Sequence, residues 1–82
     1  MITLDQAKSL THGTTLYHVR NTNADGSPQR WRVNGKVKRW KRSPDRVEIP
    51  IKHGLYSYDY LTDDSLDLVC LTEEDAIAAR AS

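Results

Sequence analysis

The sequence predicts a mainly β, α+β fold: a small antiparallel barrel of SH3-like type with a short N-terminal helix and a C-terminal helix. Three observations lead there. Five or six short runs alternate apolar and polar residues or are rich in β-branched and aromatic types. The connections between them are too short for the crossovers that a parallel sheet requires. Finally, 82 residues suffice for a single domain over 1–82 with one core, and that core, lacking Phe, must rest on Leu, Ile, Val, Trp and Tyr.

At the start, Thr3 and Gln6 have the spacing of a capping box, and Leu4, Ala7 and Leu10 share one helical face before Gly13, which predicts a helix over about 4–10. TTLYHVR at 14–20 reads as a strand with Leu16 and His18 on one side and Tyr17 and Val19 on the other. NTNADGSP at 21–28 is a loop, dense in turn formers around Asp25-Gly26. Asn34-Gly35 then predicts a hairpin between arms 29–33 and 36–42. A two-residue turn places Trp31, Val33 and Trp40 on one face and buries both indoles together; a three-residue turn with a bulge separates them. The first is preferred.

Ser43-Pro44-Asp45 breaks the second arm. Val47, Ile49 and Ile51 alternate with Glu48, Pro50 and Lys52, predicting a half-buried strand at 46–52 that Pro50 places partly at an edge. His53-Gly54 turns the chain into LYSYDYLT, another alternating run, and SLDLVCL at 65–71 predicts a last strand. Thr72 and its three following acids open a helix to about Ala79, with Arg80 near its end, both matched to the helix dipole.

Charge is divided sharply along this layout. Residues 29–53 hold nine Lys/Arg against Asp45 and Glu48, net +7, whereas 54–82 hold Arg80 against seven acids, net −6, so the total of +1 conceals a strong asymmetry. The densest part is Gln29–Arg42, with seven cations, two Trp and no acid. Cations on a β-ribbon neutralise phosphates, and exposed indoles among them stack on unpaired bases. The candidates for binding nucleic acid or an acidic partner are therefore Arg30, Arg32, Lys36, Lys38, Arg39, Lys41 and Arg42, with Trp31 or Trp40 as a stacking platform; the alternative is that both indoles are core residues and the cations keep a sheet edge soluble. Tyr56, Tyr58 and Tyr60 share one face of their strand and form a candidate protein-partner face. The acids Asp59, Asp63, Asp64, Asp67, Glu73, Glu74 and Asp75 fit helix caps and turns, or a surface that pairs with the ribbon or repels nucleic acid from one side.

Other chemistries find little support. His12, His18 and His53 lack ligand spacing and one Cys cannot complete a zinc set, so no metal or cofactor is expected. Cys70, in an apolar strand, reads as a small buried hydrophobe rather than a nucleophile. No phosphate loop, nucleophile elbow or small-molecule site is recognisable, and the chain is not expected to be an enzyme. MITLDQAKSL lacks the layout of a secretory signal and no run is apolar enough for a bilayer, so a cytoplasmic protein without a membrane partner is expected.

From Asn23 to Pro44 the chain reads N-A-D-G-x-P-x-R-x-R-V-N-G-K-x-K-x-W-K-x-x-P, followed by P-x-K-x-G-L from Pro50 to Leu55. This pattern resembles a widespread group of small proteins encoded by bacteriophages and prophages, mostly described as hypothetical. The resemblance implies a phage accessory protein working in the cytoplasm of a bacterial host, and it brings no catalytic residues. Together, ribbon and resemblance lead to a small protein that engages nucleic acid, or a nucleic-acid machine of the host, through 29–42. Two alternatives are a protein-protein module, such as an inhibitor or regulator of a host enzyme or defence nuclease, and a virion or self-assembly component.

Overall fold

Val47, Ile49 and Ile51 point to one side of a single strand and are almost fully removed from water, at 1%, 0% and 1% exposure. Each contributes about 1.5–3 kcal/mol by that burial, and the strand that carries them organises the sheet. The computed structural model describes residues 1–82. In chain order it contains α1 (Leu4–Lys8), β1 (Thr15–Thr22), β2 (Pro28–Val33), β3 (Lys38–Trp40), β4 (Ser43–His53), β5 (Ser57–Thr62), a 3-10 helix (Asp63–Leu68), β6 (Val69–Cys70) and α2 (Glu73–Ala81). All pairings are antiparallel.

β4 uses both of its edges. On one side β5 pairs with it from Glu48↔Thr62 to His53↔Ser57. On the other, β2 and β3 lie end to end, through Val33↔Ile51 and Lys38↔Glu48. β1 then joins β2, and β6 joins β1. The sheet stays open, because nothing pairs β5, β3 or β6 with one another. The α+β class expected from the sequence is present, without the hydrogen-bonded seam that closes a barrel. One cause is plain: most of the expected strand at 65–71 is the 3-10 helix, whose Leu66 reaches the core, and only Val69 and Cys70 remain to pair. The apolar spacing that matters is Leu66 to Val69, three residues, which suits a 3-10 turn.

The expected hairpin at Asn34-Gly35 is corrected. Residues 29–33 and 36–42 do not pair with each other; both run along β4 in the same direction. A type I′ turn needs positive φ at both central residues, and Asn34 is not in that region. Gly35 is, at φ +146°, where its bare Cα passes Pro50: a Cβ there would lie 3.2 Å from the proline Cγ. The Asn34 N–H donates to the Pro50 carbonyl at 2.8 Å. The dipeptide thus carries the chain past a proline that has no N–H to offer, and the interruption of the ladder falls where β4 lacks a donor. Pro50 consequently lies inside a doubly paired strand, not at an edge. The true hairpin joins β3 to β4, with Lys41-Arg42 between the partners Trp40 and Ser43.

The main core holds Ile2, Ala7, Leu16, Trp31, Val33, Leu61, Leu66 and Val69 beside the three β4 residues. Its floor is α1, built as expected: Thr3 Oγ1 accepts from the Gln6 N–H, and the Gln6 side chain accepts from the Thr3 N–H. Across the sheet, Val19, Cys70 and Ala76 form a second small cluster under α2. Arg80 fastens that helix, donating from Nε to the Val19 carbonyl at 2.8 Å and from Nη1 to the Gly26 carbonyl at 3.3 Å. No helix is long and apolar enough to cross a membrane.

β1 departs from regular pairing between Tyr17 and Thr22. The amides of Arg20 and Asn21, which the ladder there leaves free, both donate to His18 Nδ1, at 3.0 and 2.8 Å. A ring nitrogen that accepts two bonds carries no proton, so His18 is neutral with its hydrogen on Nε2. Burial, aided by the nearby charge of His53, holds its pKa below the usual value. Trp31 contacts both rings, at 4.5 Å from His18 and 4.7 Å from His53.

Two outcomes test this architecture. Gly35→Ala is expected to cost about 1–3 kcal/mol, and more than Gly54→Ala, whose added Cβ meets nothing within 4 Å; urea denaturation gives the order. For His18, the unfolded chain binds the proton more readily, so its contribution is complete above about pH 6.5 and is lost as pH falls through that value toward the lower folded pKa. Thermal midpoints should fall over that window, and His18→Asn, which keeps an acceptor at the δ position, should flatten the slope.

Candidate nucleic-acid interface

The β3–β4 hairpin projects beyond the core, which ends at Val47 and the half-buried Val37. Lys38, Arg39, Lys41 and Arg42 on it are exposed, and Trp40 is half-buried. The register explains the exposure. Between Arg39↔Val47 and Trp40↔Ser43, β4 holds three residues, Pro44, Asp45 and Arg46, with no partner on β3. This wide bulge twists the arm and brings Arg46 over the Trp40 ring at 4.3 Å, with Lys38 Nζ 5.0 Å from the same ring. Such contacts are worth about 0.5–1 kcal/mol each at exposed sites. Trp40 therefore orders two cations.

On one flank, Lys8 of α1 joins Arg39, Trp40, Lys41 and Pro44 around an open groove of about 420 Å³. On the other, Asp45, Glu48, Asp63 and Asp64 surround a cleft of about 460 Å³ together with Arg46. Asp63 is tied down by the Val47 N–H, which donates to its carboxylate at 3.3 Å. The hairpin thus has a basic and an acidic flank. None of the seven cations expected at the site forms a hydrogen bond or an ion pair with a carboxylate of the chain. Arg80, the one base of the acidic half, is spent on backbone carbonyls.

The candidates fall into two groups. Lys38, Arg39, Trp40, Lys41 and Arg42 come together at the tip, and exposed Lys36 lies in the step that leads to it. Arg30 and Arg32 lie on β2 instead, exposed on the sheet face opposite the main core; Arg32 is paired with Lys52 of β4, which in turn is paired with Tyr58 of β5. Arg30 also approaches Asp25, whose carboxyl is held below its usual range chiefly by bonds donated from Ser27. Trp31, the other proposed stacking platform, is a core residue at 7% exposure, its Nε1–H donating to Gln29 at 2.8 Å. The two indoles are not buried together. Tyr56, Tyr58 and Tyr60 are exposed at 90%, 64% and 60%.

Sequence reasoning missed Arg46, Lys8 and Lys52 as members of these surfaces. Placing the turn at Lys41-Arg42 would have revealed Arg46; Lys8 is brought in only by tertiary packing of α1. Cys70 is fully buried, and no group of three His, Cys, Asp or Glu is arranged to hold a metal ion. No protein-family model, no curated protein and no solved structure matches the chain.

The different surroundings of the two tryptophans are testable by denaturant titration. Trp31→Ala is expected to cost about 3–5 kcal/mol as a large core truncation, whereas Trp40→Ala should cost about 1 kcal/mol or less, being outside the core.

Proposed function

We propose that this is a small phage-type accessory protein that binds nucleic acid, alone or within a host nucleic-acid machine, through the β3–β4 hairpin. The observation that carries the proposal is the group of unpaired cations on the hairpin, where Lys38 and Arg46 lie over the Trp40 ring, Arg39 and Lys41 share a groove with it, and Arg42 is exposed in the turn. Unpaired surface cations gain most where they displace the counterions of a polyphosphate. The acidic cleft on the opposite flank adds orientation, since a backbone approaching from that side is repelled. Host and compartment rest on the sequence resemblance alone.

Within this proposal the sheet is a partly open barrel of SH3-like type. Support comes from the order β5-β4-β2-β1-β6 and from the 3-10 helix that spans from β5 to the last strand. A protein-protein module is the second reading, favoured by one specific observation, the exposed Leu55 and Tyr56 beside the open edge of β5.

A salt series separates the two. With random single- and double-stranded DNA between about 50 and 200 mM salt, the slope should be steep for the wild type, and Lys38→Glu with Lys41→Glu should abolish binding while the thermal midpoint stays put. Unchanged affinity and slope in that double variant would rule the hairpin out.

A further inference from the structure

We infer that the sheet face formed by β2, β4 and β5 is a track for single-stranded nucleic acid, in which Tyr58 and Tyr60 stack on unpaired bases and Arg32 and Lys52 hold the backbone. The inference rests on the nucleic-acid reading of the hairpin and deepens it by naming the strand state of the ligand. Cross-strand pairing puts Arg32, Lys52 and Tyr58 in one row on one face. Tyr60 follows on the same face beside Pro50, and Lys38 and Glu48 continue it toward the hairpin. The face is thus continuous with the cationic tip.

Three features favour an unpaired strand. First, Trp40 already carries two cations over its ring, so the free aromatic surface of this region belongs to the tyrosines. Lys52 Nζ lies over the Tyr58 ring at 5.6 Å, a single and more distant cation on a largely exposed side chain, and Tyr60 carries none. Second, residues two apart on a strand are about 6.8 Å apart, twice the rise of about 3.4 Å per nucleotide in duplex. Neighbouring tyrosines therefore receive successive bases only from a stretched strand, and a duplex keeps its base faces covered. Third, the stretch of this face from Arg32 to Tyr60 carries no acid: Asp59 alternates to the other side with its partner Ile51, and Glu48, half-buried at the hairpin end, belongs to the acidic cleft that bounds the track there. α2 packs at the far end against β1, β6 and the start of β2, leaving this part open.

The test uses the full chain with fluorescein-labelled oligothymidylate and oligouridylate of about 16 nucleotides, and a duplex of equal length. Tyr58→Ala and Tyr60→Ala should each weaken single-strand binding about tenfold, leaving duplex binding and the salt slope unchanged; Tyr58→Phe should retain affinity. Both side chains are mostly exposed, so circular dichroism should show a native fold in every variant. If the wild type binds and the alanine variants bind single strands equally well, or lose duplex binding to the same degree, the track is refuted while the hairpin reading stands. If the wild type binds neither nucleic acid at about 50 mM salt, the hairpin reading fails and this inference with it. A bacterial protein captured after nuclease digestion, and lost in Tyr58→Ala, would instead assign the face to a protein partner and overturn the inference.

Discussion

Everything in this small fold depends on one strand that is hydrogen-bonded along both edges. β4 supplies three consecutive inward residues to the core, and it spaces β5 on one side from β2 and β3 on the other. With so few large apolar residues available, a strand paired along both edges is an efficient way to bury them: Ile51 lies between Val33 and Asp59, Ile49 beside Leu61 and Val47 beside Arg39, and α1 packs against the same strand. Stability and display are thereby tied together. The same residues that alternate inward at 47, 49 and 51 force Arg46, Glu48, Pro50 and Lys52 outward, and these contribute to both surfaces discussed above.

Much of the local structure was legible in the chain. The capping box at Thr3, the turn chemistry at Asp25-Gly26, the alternation of Val47, Ile49 and Ile51, and the Thr72 cap of α2 are interactions between residues close in sequence, and they form as expected. The burial of Trp31 and the exposure of the tyrosine row required the sheet. Asn34-Gly35 was misleading for a physical reason. The dipeptide is favoured wherever glycine can take positive φ, and a close approach to a proline ring demands that as surely as a hairpin does. Sequence spacing carries no sign of the distant proline. The actual hairpin closes through Lys41-Arg42, with no glycine and no positive φ, and so gave no local signal.

The candidate site was legible as composition and illegible as shape. Charge counting located the cations, because residues 29–42 contain no acid. It could not divide them between the tip and the sheet face, nor tell that the two tryptophans have unlike tasks. Nor could it show that the seven acids of the C-terminal half would leave the tip unneutralised. Asp59 lies on β5, where it accepts from the Tyr60 N–H, Asp63, Asp64 and Asp67 lie in the 3-10 helix, the first two also lining the flanking cleft, and Glu73, Glu74 and Asp75 form the first turn of α2.

The bulge of Pro44, Asp45 and Arg46 marks the point where the hydrophobic contacts stop and the arm continues alone. Past it, side chains face water, with little obligation to the packing beneath. Substitutions at Lys38, Arg39, Lys41 or Arg42 therefore cost the fold little, whereas those at Val47, Ile49 or Ile51 reach the whole core. The chemistry that the arm presents and the stability of the molecule are thus set by separate groups of residues.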